Sequence, residues 1–143
     1  MDLTPKEKRG SETAMSMKKR ILLVDDDVDL VTSLAEWLKA KGYTVRVAYD
    51  GASGIAKAKA EKPDLMILDV MMATDIEGIE VSRKIAELPE LKSMPVLMLT
   101  GMRKEKNLPV GLEPDENWLP VRVVLEKTVP RDDLLREIER LLR

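Results

Sequence analysis

The sequence predicts an α/β domain: a single doubly wound, five-stranded parallel sheet covered by helices on both faces. Three observations carry that expectation. Three short runs, at 21–24, 65–68 and 95–99, are apolar at successive positions, and a fourth, 121–125, is apolar but for Arg122, the pattern of strands buried on both faces. Segments of helical spacing lie between them, so strand and helix alternate along the chain. The runs end in acids, a hydroxyl or an ammonium at Asp25, Asp69, Thr100 and Lys127.

The elements follow in order. Ile21, Leu22, Leu23 and Val24 form the first strand, and Asp25, Asp26 and Asp27 follow it directly. Leu30, Leu34, Trp37 and Leu38 recur at helical spacing, with Gly42 placed to end that helix. Residues 44–48 alternate as a strand, Asp50-Gly51 makes a turn, and the Ala- and Lys-rich stretch 52–61 is a helix that Pro63-Asp64 breaks. Residues 65–68 are the next strand, ending at Asp69, and a looser stretch leads to a helix over 79–88 that Pro89 stops. After the strand at 95–99 come Thr100-Gly101 and a stretch punctuated by Pro109, Gly111, Pro114 and Pro120. The last strand, 121–125, ends in Glu126-Lys127. Pro130 then opens a final helix with Asp132 and Asp133 in its first turn and Leu134, Leu135, Ile138, Leu141 and Leu142 facing inward.

A chain of 143 residues holds one domain with a real core. Residues 1–17 are polar and lack the apolar centre of a signal peptide, so they read as a disordered lead before a domain spanning 18–143. With 24 basic and 26 acidic residues, a net charge of −2 and no basic stripe, direct nucleic-acid binding is unsupported. No apolar run approaches the roughly 20 residues that span a bilayer, so no membrane partner is expected. The absence of Cys fits a reducing, cytoplasmic setting. The absence of His removes the commonest zinc ligand and general base.

Doubly wound sheets bind ligands outside the carboxyl ends of their strands. Here that edge collects Asp25/Asp26, Asp69, Thr100 and Lys127: two acidic corners, a hydroxyl and an ammonium. Three consecutive aspartates repel one another unless a cation sits among them, and helix capping accounts for only one. Carboxylates without His or Cys suit a hard cation, Mg²⁺ or Mn²⁺. A lysine and a hydroxyl opposite would hold phosphoryl oxygens, and a carboxylate can be the nucleophile of a phosphoryl transfer.

The motifs Ile21-Leu-Leu-Val-Asp-Asp-Asp27, Pro63-Asp-Leu-Met-Ile-Leu-Asp-Val-Met-Met72, Pro95-Val-Leu-Met-Leu-Thr-Gly101 and Leu125-Glu-Lys127 resemble the receiver domain of two-component response regulators over residues 18–143. The resemblance implies a flavodoxin-like sheet in the order 2-1-3-4-5. It implies Asp69 as phosphoacceptor from a sensor histidine kinase or histidine phosphotransfer protein, and a downstream protein as target. It further implies Mg²⁺ on Asp26, on Asp25 largely through water, on Asp69 and on the Met71 backbone carbonyl. Thr100 would bond the phosphoryl oxygen, and Lys127 would pair first with Asp69 and then with the phosphoryl group. Asp27 falls to the helix start. Such a domain is not an enzyme beyond its own Mg²⁺-dependent phosphorylation and dephosphorylation.

Four departures stand out. Thr128 replaces the Pro that normally follows the lysine across a cis bond. A cis bond before a non-proline costs about 2.5–4 kcal/mol, so a trans bond is expected, with a possible shift of the Lys127 ammonium. Val124 occupies the aromatic switch position, in a chain with no Phe. The stretch 73–78 lacks the usual Pro after the phosphoacceptor strand and is one residue longer. The helix expected within 101–120 is shortened, to a turn or two at 102–107, or replaced by a long loop to which Trp118-Leu119 gives an anchor. Two alternatives follow. One is a degenerate receiver that docks without phosphorylation. The other is a haloacid-dehalogenase-like phosphatase, which Asp29 disfavours because it stands where that family places Thr or Val. No output domain follows the final helix in this sequence, as would suit a stand-alone receiver or a piece of a longer regulator.

Overall fold

The computed structural model describes residues 18–74, 76–101 and 113–143. Its elements are β1 (Arg20–Val24), α1 (Val28–Ala40), β2 (Thr44–Ala48), α2 (Gly51–Glu61), β3 (Leu65–Asp69), α3 (Glu77–Glu87), β4 (Val96–Thr100), β5 (Val123–Glu126) and α4 (Arg131–Leu141). The five strands form one parallel sheet in the order β2-β1-β3-β4-β5, the arrangement expected.

Strand parity explains the continuous apolar runs. Ile21, Leu23, Leu65, Ile67, Leu97 and Leu99 point to one face, where they pack against Val31, Leu34 and Leu38 of α1 and Leu134 and Ile138 of α4. Leu22, Val24, Met66, Leu68, Val96 and Met98 point to the other, against Ala58 of α2 and Ile79, Val81 and Ile85 of α3. Successive strand residues thus serve opposite cores, and a polar residue at either parity would be buried without a partner. Of the inward leucines expected in α4, Leu134 is buried, Leu141 and Leu142 are partly buried against the core, and Leu135 is half-buried.

Local signals set the ends of the helices. Asp27 caps α1, its Oδ1 accepting from the Leu30 N–H at 3.1 Å. Gly42 follows α1 at φ 101°, a conformation open to glycine at no steric cost, and donates to the Lys39 carbonyl. Asp50 caps α2 through the Ser53 N–H at 2.8 Å, so Gly51 belongs to the helix. The third helix begins at Glu77, two residues before the expected start at 79, where the Glu77 carboxylate accepts from the Ala73 N–H of the preceding loop. It ends at Glu87, and Leu88 is extended, as a residue before proline prefers to be.

Between β4 and β5 no helix occurs among the described residues. The turn of helix expected at 102–107 lies outside them, as does the polar lead at 1–17. Residues 113–120 form a tight turn. Asp115 and Leu119 make an antiparallel bridge, and Asp115 Oδ1 accepts from the N–H groups of Asn117 and Trp118 at 2.8 and 3.0 Å. Leu119 is fully buried in the core on the α2/α3 side, Trp118 packs against that core, and Arg83 Nε donates to the Trp118 carbonyl at 2.9 Å. The anchor expected of Trp118-Leu119 is present. The last strand starts at Val123, not 121, because the Val121 N–H turns back to the Leu119 carbonyl. Among the described residues no helix is long and apolar enough to cross a membrane.

Candidate functional site

Sheet register brings the strand-end residues together. The order reverses between β1 and β3, where the pair Val24↔Leu68 leaves Asp25 and Asp69 side by side at the carboxyl edge. The Asp25 N–H continues the ladder to the Ala48 carbonyl at 3.1 Å, which holds the residue after the strand has ended. Asp25 and Asp69 are buried and Asp26 is exposed. One carboxylate oxygen from each of the three lies within 4.8 Å of the others. Three hard oxygen donors at that spacing, two of them removed from solvent, fit a divalent cation with oxygen ligands.

The opposite wall comes from β4 and β5. Register pairs Thr100 with Glu126, so Lys127 stands one residue beyond, and its N–H donates to the Thr100 carbonyl at 2.8 Å. Thr100 is buried at the end of β4. The Lys127 ammonium lies 3.0 Å from Asp25 Oδ2 and 3.3 Å from Asp69 Oδ1. The contact with Asp69 matches the sequence expectation; the shorter one with Asp25 was not foreseen. Asp25 Oδ1 accepts from the Asp27 N–H at 3.0 Å, so both Asp25 oxygens are engaged. The peptide bond between Lys127 and Thr128 is trans, as expected, and the ammonium nonetheless reaches both carboxylates.

Electrostatics single out one carboxylate. Burial and the neighbouring Asp25 charge push the Asp69 carboxyl up to about 7, against the opposing pull of Lys127. Burial works against the Lys127 ammonium, yet its contacts with Asp25 and Asp69 more than offset this and raise its pKa. A protonated Lys127 therefore faces a carboxylate that ionises reluctantly, and a second cation near Asp69 would favour its charged form.

The model of the response regulator receiver domain matches residues 21–139. The chain belongs to that family. Curated relatives include the alkaline phosphatase synthesis transcriptional regulatory protein PhoP of Bacillus subtilis, 42% identical over 97 residues (68% of this chain, 39% of PhoP). The response regulator MprA of Mycobacterium ulcerans is 34% identical over 116 residues, 80% of this chain and 49% of that protein. The chain thus spans about half, or less, of these relatives. Among solved structures, a CheY-like receiver domain protein from Methanospirillum hungatei superposes at a TM-score of 0.70 with 30% identity, covering 87% of this chain and 94% of that one. The chemotaxis response regulator CheY4 of Vibrio cholerae gives 0.72 at 26% identity, over 88% and 100%.

Within this receiver, the loop after Asp69 is held more closely than its sequence suggested. The Val70 N–H donates to the Leu99 carbonyl at 3.1 Å, and the Gly78 N–H to the Val70 carbonyl at 2.8 Å. A Cβ on Gly78 would lie 2.0 Å from the Asp69 carbonyl oxygen, so only glycine lets α3 approach the end of β3. Glu77 binds two backbone amides, those of Gly51 and Ala73, each at 2.8 Å. Sequence inspection missed both residues, although an acid followed by Gly at a helix start was the available signal. Val124 packs against the same core as Trp118, with no ring at that position to swing behind Thr100.

Proposed function

We propose that this receiver accepts a phosphoryl group on Asp69 from the phosphohistidine of a sensor histidine kinase or histidine phosphotransfer protein, and signals through protein contact. The observation that carries the proposal is the Asp69 carboxylate, buried between two further acids and an ammonium that touches it. An Asp69 Oδ would attack phosphorus as the bond from phosphorus to the donor imidazole breaks. Asp25, Asp26, Asp69 and the Met71 carbonyl would hold Mg²⁺ or Mn²⁺. When bound, the ion supplies neutralising charge for the phosphoryl oxygens. Lys127 would shift from the carboxylates to the phosphoryl group, and the Thr100 hydroxyl would donate to another of its oxygens. The working domain is 18–143 with 1–17 as a lead, the setting is cytoplasmic, and the output needs no direct contact with nucleic acid or membrane.

Val124 and the trans bond before Thr128 favour one other reading, a receiver that docks without phosphorylation. Incubation with acetyl phosphate and Mg²⁺ followed by intact mass separates the two. A phosphate-sized gain, lost on Asp69→Asn and on removal of Mg²⁺, is expected; no gain at any Mg²⁺ concentration would leave the docking role.

A further inference from the structure

We infer that Glu77 is a positioning residue for the loop that follows Asp69, tying that loop to the start of α2 and thereby setting how firmly the divalent ion is held. The inference rests on the proposed phosphoacceptor site and adds a residue to its support. One carboxylate joins two loops at the carboxyl edge: Oε1 accepts from the Ala73 N–H and Oε2 from the Gly51 N–H, each at 2.8 Å. The two amides are far apart in sequence, one after β3 and one after β2, and no backbone ladder connects them.

The approach is specific. Gly51 lacks the Cβ that would stand 2.8 Å from Glu77 Oε2 and 2.7 Å from a Val81 methyl. The adjacent Gly78 meets the Asp69 and Val70 backbone and donates to the Val70 carbonyl. Glu77 and Gly78 therefore fix both ends of the stretch 70–73, which contains Met71, the residue whose carbonyl is proposed to face the metal. A carboxylate accepting two N–H bonds makes charge-assisted contacts, stronger and more directional than neutral ones. Favourable interaction with the helix dipole alone would explain an acid in the first turn of α3, but exposed Glu80 in the same turn already supplies one. The dipole does not require a bridge to a second helix.

The test compares Glu77→Ala, Glu77→Gln and Glu80→Gln in the full chain. It reads calorimetric Mg²⁺ affinity without phosphodonor, amide hydrogen exchange at Gly51 and Ala73, and the melting temperature. Loss of an outer partner of a metal ligand typically weakens binding about tenfold or more, and Glu77→Ala is expected to do so. Glu77→Gln keeps one acceptor oxygen and should fall between, carrying the comparison alone if the alanine variant fails to fold. Glu80→Gln should match wild type. The Gly51 and Ala73 amides should be protected in wild type and exchange faster in Glu77→Ala. Wild-type Mg²⁺ affinity in Glu77→Ala and Glu77→Gln, with only the melting temperature lowered, would overturn the inference alone. Unprotected Gly51 and Ala73 amides in wild type would also overturn it. A wild-type chain that binds no Mg²⁺ would overturn the phosphoacceptor proposal and this inference together.

Discussion

The Asp69 carboxyl couples the site to the stability of the domain. Its pKa is raised from 3.8 to about 7 by burial and by Asp25, so the folded chain holds this proton more tightly than the unfolded chain does. The unfolded carboxyl ionises first as pH rises, and stability falls from about pH 4 through about pH 7, then levels. Asp69→Asn has no charge to bury. It should gain on wild type by about 1–3 kcal/mol between pH 5 and pH 8 in urea melts without divalent ions, and parallel pH curves for the two proteins would contradict this. Lys127→Gln removes both ion pairs. At pH 8 it should cost about 2 kcal/mol, less than the ~3–5 for breaking a fully buried pair because the ammonium keeps some solvent, and less again at pH 5. At this scale the sequence was informative wherever a polar residue interrupted an apolar run, which marked Asp25, Asp26, Asp69, Thr100 and Lys127. It was silent on the contact between Lys127 and Asp25, which depends on strand order and side-chain reach. Glu77 was hidden because an acid opening a helix looks the same whether it meets the dipole or a distant amide.

Among the elements, the five strands were legible because each inner strand serves two cores and is apolar at both parities. Helix ends were less so. The third helix starts early, at Glu77, whose carboxylate accepts from the Ala73 N–H of the loop before it, a contact no propensity encodes. In the segment 113–120 the anchor was legible but its depth was not: a stretch rich in Pro and acids delivers Leu119 to the core with no exposed area. Leu119→Ala should therefore cost about 2–5 kcal/mol in chemical denaturation, a core penalty, and a change below 1 kcal/mol would contradict its burial. Gly78→Ala, whose methyl would overlap the Asp69 carbonyl, should destabilise by about 1–3 kcal/mol or more as α3 is pushed off β3. Wild-type stability in that variant would mean that α3 sits further from the strand than described.

Across the whole molecule, the parallel order and the position of the site follow from one fact. Strands buried on both faces must leave their polar residues at their ends, and the reversal between β1 and β3 brings two such ends together. Family membership then turns an acidic corner into a candidate phosphoacceptor, while Val124 and Thr128 mark where this receiver's sequence departs from the usual switch. The most direct measurement is chemical localisation of the acyl phosphate. The chain is phosphorylated with acetyl phosphate and Mg²⁺, reduced with borohydride, which converts an aspartyl phosphate to homoserine, and mapped by peptide mass. Homoserine is expected at position 69 alone; homoserine at Asp25 or Asp26, or none in a chain that binds Mg²⁺, would contradict Asp69 as the phosphoacceptor.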